Sequence, residues 1–321
     1  IFFISVLLFF LGSGIWVALS MIGVSAIGMM LFTSRPVGDA MATTIWGTSS
    51  SWTLTALPLF VWMGEILFRT KLSENLFRGL SPWMQRLPGG LIHVNVVGCA
   101  LFAAISGSSA ATVATVGKMS IPELRKRNYP EKILLGSLAG SGTLGLLIPP
   151  SIILIIYGVA VQESIAKLFI AGILPGIMIA LIFMSYVIIW SLLNKKQMPS
   201  ITEDYSLVEK IKKSKQLLPV ILLIFAVIGS IYTGIATATE AASLGVIGAL
   251  ILSYFQKSLS LDTFKSSLLG ATKTSCMIAF ILAGSTFLSL AMGFTGLPRN
   301  LAIWIQDMNL SPYVLIFVLM I

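Results

Sequence analysis

"GSGTLGLLIPPSIILIIYG", residues 140–158, is apolar and long enough to enter a bilayer, yet it sets Pro149 and Pro150 side by side. Neither proline has an N–H to donate, and each ring clashes with the helical turn before it. Pro150 disfavours helical backbone at Pro149, and Pro149 does the same at Ile148, so extended chain is expected over 147–150. Ser141, Gly142, Thr143 and Gly145 lead into the prolines and Ser151 follows them. Glycine loses backbone entropy in a helix, and serine and threonine hydroxyls compete for its backbone groups. Irregular backbone at membrane depth is tolerated only where protein buries it or where it lines a cavity. A helix broken there frees carbonyl oxygens for a cation and turns a half-helix N-terminus toward an anion. The prolines suit the first turn of the second half-helix, with Ser151 in that turn.

The surrounding chain has the composition such a break requires. Of 321 residues, 56% are hydrophobic and 10% charged, with a mean hydropathy of +0.96. Soluble domains carry about 25% charged residues, so the solvent is lipid. The formal net charge of +9 follows from lysine and arginine in cytoplasmic loops rather than from nucleic-acid binding. Cys99 and Cys276 lie far apart in apolar segments and propose neither a disulfide framework nor a metal site. His93 alone cannot build a metal cluster, and beside Gly89-Gly90 it reads as an interfacial histidine. The opening apolar run is longer than the core of a cleavable signal peptide. Both termini fall inside apolar runs, the expectation for part of a longer polypeptide.

A membrane helix needs about 20 apolar residues. About nine hydrophobic segments are expected on that criterion: 1–33 (with a kink at Gly12-Ser13-Gly14), 54–68, 91–117, 133–160, 165–193, 217–235, 237–255, 272–294 and 301–321. The stretch 194–216 holds six lysines and reads as a cytoplasmic linker between a first half, 1–193, and a second half, 217–321. "PLFVWMGEILFRTKLSENL" (58–76) and "FILAGSTFLSLAMGFTGLPRNL" (280–301) share an apolar run, a glycine, a second apolar run and a leucine-containing polar exit. Duplicated halves around a polar loop mark many secondary transporters.

A second break precedes the proline pair. "AAISGSSAATVATVG" (103–117) sets Ser106, Gly107, Ser108 and Ser109 in a row, with Thr112 and Thr115 after them. Small residues also serve plain helix packing, but two breaks about 40 residues apart, neither with a carboxylate, point to a site of neutral oxygens. Such oxygens suit a monovalent cation better than Ca²⁺ or Mg²⁺.

Four longer stretches carry a family resemblance: "ALPLFVWMGEILFRTKLS" (56–73), "FAAISGSSAATVATVGKMSIPELRKRNYP" (102–130), "GTLGLLIPPSIILIIYGV" (142–159) and "ESIAKLFIAGILPGIMIA" (163–180). They resemble the large membrane (DctM or M) subunit of tripartite ATP-independent periplasmic (TRAP) transporters, from roughly residue 15 onward. The resemblance implies an all-α polytopic protein of a bacterial inner membrane, an inverted-repeat elevator with a re-entrant hairpin and broken helices. It implies Na⁺-coupled import of an organic acid, such as a C4-dicarboxylate, sialic acid or sugar acid. A periplasmic substrate-binding P subunit would deliver the acid and a small membrane Q subunit would brace the scaffold. It also implies a Na⁺ site at Ser106, Gly107, Ser108 and Ser109 of the hairpin tip with Gly145, Ile148 and Pro149 of the unwound stretch. Ile148 and Pro149 would act through their carbonyls. Thr112 and Ser151 are expected near the substrate. The family's pattern continues past residue 321 into a second hairpin and a second Na⁺ site, to which no residue is assigned here.

Glu65 lies in an apolar segment with Arg69 four residues on, which makes a helix-surface ion pair available. Arg125, Lys126 and Arg127 read as a solvated cytoplasmic face, with Arg125 a further candidate for the substrate carboxylate. Lys167 and Lys273 are placed to snorkel to headgroups, and Trp46, Trp52, Trp62 and Trp83 fit an interfacial belt. A cation channel or pore is the alternative function, since serine, glycine and threonine also build filters. An intramembrane enzyme is disfavoured, because no base is spaced to activate a nucleophilic serine.

Overall fold

The structure, a computed structural model, describes residues 2–70, 72–199, 205–308 and 310–320. Residues 200–204 of the expected linker lie outside the described residues. Regular structure among the described residues is entirely helical. The chain forms two compact units, one of residues 1–51 and 276–321 and one of residues 52–275.

In the first unit, α1 (Phe2–Gly12) and α2 (Val17–Phe32) are separate helices joined by a short turn. Gly14 takes φ +79° in that turn, a conformation closed to most side chains. Phe3 packs on Gly28 and Phe10 on Gly23, so the two helices run antiparallel. The stretch 1–33, read from sequence as one kinked span, is therefore a helical hairpin. Each glycine faces a phenylalanine ring, and the two helices close onto each other across those pairs. Phe3, Val24 and Met29 form a core with Phe287 and Ala291 of α14 (Leu261–Phe294), the helix that runs through both units. α3 (Val37–Ser49) joins α14 through Thr48 Oγ1, 3.1 Å from Thr286 Oγ1. α15 (Leu297–Asp307) and α16 (Pro312–Met320) complete this unit.

The second unit begins with α4 (Ala56–Phe68) and α5 (Leu72–Met84). Two arms follow, α6 (His93–Ser106) and α7 (Ser109–Lys126), separated only by Gly107 and Ser108. Gly98 of α6 faces Val116 of α7, nine residues to either side of Gly107, so α6 and α7 fold back on each other as a hairpin. α6 has 14 residues, about 21 Å of helix, short of the ~30 Å hydrocarbon layer. α7 turns polar after Gly117. The expected single segment 91–117 is thus a two-armed excursion, because Gly107 at φ +58° ends α6 and turns the chain back.

α8 (Glu131–Gly142) continues through a tighter turn at Thr143–Leu146, stops, and resumes as α9 (Ile152–Val161). α10 (Ile165–Leu193) packs Ile179, Ala180, Phe183 and Met184 over Val96, Ala103 and Leu144, so one long apolar helix covers both the hairpin and the broken helix. α11 (Leu207–Ser214) bends by 60° into α12 (Leu218–Tyr232). α12 pairs with α13 (Ala238–Phe255), whose first turn is capped by Thr237 and Glu240. α10, α13 and α14 are long and apolar enough to cross a membrane. The other apolar segments are shorter or bent, which is why a count of hydrophobic stretches exceeds the count of straight spans.

His93 is fully buried within the protein, with Nε2 2.8 Å from the Pro88 carbonyl. Asn95 is fully buried too, and its Nδ2 donates to Leu134 O and Ser137 Oγ, tying α6 to α8. Tyr129 accepts the Leu91 N–H at 3.1 Å. Burial pushes the Tyr129 hydroxyl up from its ordinary pKa, opposed by that hydrogen bond and by Arg127, so it remains a neutral acceptor past neutral pH. Glu65 and Arg69 form the expected pair at 3.0 Å.

Candidate functional site

The hairpin tip is seated in the break of the α8–α9 helix. Gly107 turns left-handed, and its carbonyl accepts the Ile152 N–H at 3.2 Å, the first amide of α9. A side-chain carbon at Gly107 would lie 2.6 Å from Pro150 O and 3.1 Å from Ile152 N. The site therefore requires glycine twice, for its dihedral and for its close backbone approach. From the other strand, a carbon at Gly145 would meet Ser108 C and Ser109 N at 2.9 Å. Backbone touches backbone on both sides of the junction.

Within the tip, Ser106 Oγ lies 3.0 Å from Thr112 Oγ1. The Ser108 carbonyl accepts from Thr112 Oγ1 at 2.7 Å and from Ser106 Oγ at 3.3 Å. Ser108 is the N-cap of α7, its Oγ accepting the Ala111 N–H at 3.4 Å. Ser106 and Thr112 are buried, while Ser108 and Ser109 are half-buried. Three neutral oxygens thus converge on one spot: two hydroxyls and a carbonyl. Among the described residues no cluster of histidine, cysteine or carboxylate can hold a transition or divalent metal. Neutral oxygens of this kind can ligate a monovalent cation.

In the break, Leu147 keeps a near-helical turn at φ −115°, ψ −39°, and Ile148 N still reaches Leu144 O at 2.9 Å. The extended backbone expected over 147–150 therefore does not begin at Leu147. The prolines precede the second half-helix instead of occupying its first turn, and Ser151 is its N-cap at φ −114°, ψ 131°. Ser151 is fully buried and donates its Oγ–H to Leu146 O at 2.6 Å, tying the two lips of the break together.

Four helix ends meet here. α6 and the Thr143–Leu146 turn present C-terminal ends, which favour positive charge, while α7 and α9 present N-terminal ends, which favour negative charge. A cation and a carboxylate can share such a junction without any ionised side chain.

Of the residues singled out in the sequence, Ser106, Gly107, Ser108, Ser109 and Thr112 form the tip, which meets Gly145, Pro150 and Ser151, whereas Ile148 and Pro149 lie against Gly176 and Gly172 of α10. Arg125 does not join them. It lies 13 residues along α7 from Thr112, about 20 Å at helical rise, and its guanidinium pairs with Glu131.

Three glycines outside the two breaks pack against the junction. Gly64 of α4 approaches the Ser106 backbone, with Cα 3.0 Å from where a Gly64 side chain would begin. On α10, Gly172 faces Leu147 O and Gly176 faces Ile148. The four-residue spacing of Gly172 and Gly176 on an apolar helix is the visible signal for that contact.

The family model described as "Tripartite ATP-independent periplasmic transporter, DctM component" matches residues 3–321. The chain belongs to the DctM family. It is similar to the C4-dicarboxylate TRAP transporter large permease protein DctM of Pseudomonas aeruginosa, 33% identical over 294 residues, covering 91% of this chain and 68% of that protein. It is similar to the sialic acid TRAP transporter large permease protein SiaM of Vibrio cholerae, 31% identical over 310 residues, covering 96% and 71%. It is also similar to the isethionate TRAP transporter permease protein DctMQ of Oleidesulfovibrio alaskensis, 31% identical over 297 residues. That alignment covers 91% of this chain and 46% of that longer protein. A DctM chain is a membrane transport component, and these relatives are permeases rather than enzymes.

Proposed function

We propose that this DctM chain carries an organic anion across a bacterial inner membrane together with Na⁺. One observation carries the proposal: the Gly107 tip is docked in the Pro149-Pro150 break, so that Ser106 Oγ, Thr112 Oγ1 and the Ser108 carbonyl converge beside two helix C-termini. Na⁺ supplies charge at those oxygens, and Ser106, Gly107, Ser108, Ser109, Gly145, Ile148 and Pro149 are the residues to hold it. The N-terminal ends of α7 and α9, with Thr112 and Ser151, face the negative group of the substrate.

The relatives are named for a C4-dicarboxylate, sialic acid and isethionate. These share a negative group on a small polar body, which supports an organic acid as the cargo here. A periplasmic binding protein delivers it, and a small membrane subunit completes the permease. The relative named DctMQ supports that second partner. Alternating access by an elevator is the mechanism we read here, and a similarity of pattern between the two halves supports it. In each half an apolar helix gives way to a short helix with one polar face, α4 to α5 and α14 to α15. A channel has no comparable support, since the relatives are permeases.

Reconstituted full-length complex, supplied with binding protein, takes up a labelled organic acid only with an inward Na⁺ gradient. Uptake that is unchanged when choline or K⁺ replaces Na⁺ overturns the coupling.

A further inference from the structure

A second buried polar spot lies where the two arms of the hairpin meet the first half of the broken helix. Gly98 faces Val116, Gly117 faces Leu138 and Gly142 faces Val113, so α7 runs antiparallel to both α6 and α8. About one turn from the first two of those contacts, Asn95 of α6, Ser120 of α7 and Leu134 of α8 stand at one level. At about 100° per residue, Ser120 projects between Val116, which faces α6, and Gly117, which faces α8.

Asn95 and Ser120 are both 0% exposed. Asn95 is only half satisfied there. Its Nδ2 donates to Leu134 O at 3.2 Å and to Ser137 Oγ at 3.0 Å, while Asn95 Oδ1 and Ser120 Oγ have no hydrogen-bond partner among the described residues. Burial strips solvent from both atoms, and a polar atom left bare inside a protein costs stability. Native interiors pair nearly all such atoms, with protein groups or with ordered water. The two atoms are also complementary, since an amide oxygen only accepts and a hydroxyl can donate.

We propose that the interface of α6, α7 and α8 binds one internal water, which donates to Asn95 Oδ1 and pairs with Ser120 Oγ. An internal water is held by as few as two polar partners. A cation stripped of its own hydration shell needs more oxygens than that. The next ones, Leu134 O and Ser137 Oγ, already accept from Asn95 Nδ2, and Leu134 O accepts from Ser137 Oγ as well. The water completes a chain of contacts across three helices, reaching α7 through Ser120, α6 through Asn95 and α8 through Leu134 and Ser137. Both arms of the hairpin are thereby fixed to the helix whose break receives the tip.

The test uses full-length protein in detergent, and the sign of one substitution reads the site. Removing a buried hydroxyl that has no partner relieves a cost, so Ser120→Ala would then raise the melting temperature or leave it unchanged. With the water in place, Ser120→Ala lowers the melting temperature. The drop is smaller in an Asn95→Ala background, where the shared partner is already lost. A melting temperature that holds or rises in Ser120→Ala, or equal drops in the two backgrounds, overturns the proposal. A map of the unaltered protein fine enough to resolve ordered water supplies the second reading, and it serves alone should Asn95→Ala fail to fold. A solvent peak within hydrogen-bond distance of both Asn95 Oδ1 and Ser120 Oγ, present in NaCl and in choline chloride alike, supports the site. A direct Ser120–Asn95 hydrogen bond with no peak overturns it, and so does a peak seen only with Na⁺, which would assign the spot to a cation.

Discussion

Gly107 and Gly145 face the opposite strands of the junction, and each has backbone atoms where a methyl group would go. Backbone cannot swing aside as a side-chain tip can, so an added carbon must displace the tip from the break. Gly145→Ala is expected to cost about 1–3 kcal/mol from overpacking. Gly107→Ala carries a further ~1 kcal/mol for an L-residue in the left-handed region. Gly136 supplies the comparison, since nothing lies within 4 Å of its added carbon. There alanine is neutral or stabilising by up to about 1 kcal/mol. Melting temperature and Na⁺-driven uptake should both fall for the first two variants and hold for the third; a Gly145→Ala protein with unaltered uptake would show that close docking of the tip is dispensable. The serine-glycine run was legible because these residues are poor helix formers wherever they sit. The third partner, Gly64, was not, because a lone glycine in an apolar helix announces close packing without naming what packs there. Arg125 shows how far sequence proximity and spatial proximity can part. It is near Thr112 in the chain, but helical rise carries it to the far end of α7.

At the scale of elements, α10 presses on the break through two glycines of unequal tolerance. A carbon at Gly172 would lie 2.7 Å from the Leu147 carbonyl, which is backbone, while one at Gly176 would lie 2.9 Å from Ile148 Cγ1, a side-chain atom able to turn away. Gly172→Ala should therefore destabilise more than Gly176→Ala, and leucine at 172 should reduce the folded yield outright. Denaturation midpoints of the two alanine variants check the ranking, and the reverse order would mean that α10 does not clamp the unwound backbone. The break itself could be read from Pro149 and Pro150, since the missing N–H groups forbid a continuous ladder in any context. The α1–α2 reversal could not. Gly12-Ser13-Gly14 weakens a helix equally whether it kinks or folds back, and the choice falls to the contacts of Gly23 and Gly28 with Phe10 and Phe3. Those contacts pair residues more than ten positions apart, which hydrophobic periodicity does not encode.

At the scale of the whole molecule, the tip and the break come from separate stretches of chain and meet only in the folded state. An ion held at that meeting point must then stabilise folding, because the unfolded chain has no such cluster of oxygens to offer it. Full-length protein should melt at a higher temperature as NaCl replaces choline chloride at constant ionic strength. Once Na⁺ exceeds its dissociation constant, each further tenfold rise adds about 1.4 kcal/mol. K⁺, too large for a compact set of two hydroxyls and a carbonyl, should give a smaller rise. Ser106→Ala removes one of the three oxygens and leaves Thr112 Oγ1 its bond to the Ser108 carbonyl, so the fold should survive while the Na⁺ response weakens. A loss of about 1–1.5 kcal/mol in ion binding corresponds to a roughly tenfold shift in the Na⁺ concentration needed. The ion and the fold are thereby separated. A Ser106→Ala protein that melts lower but responds to Na⁺ as before would leave the serine a structural part of the hairpin and move the cation elsewhere.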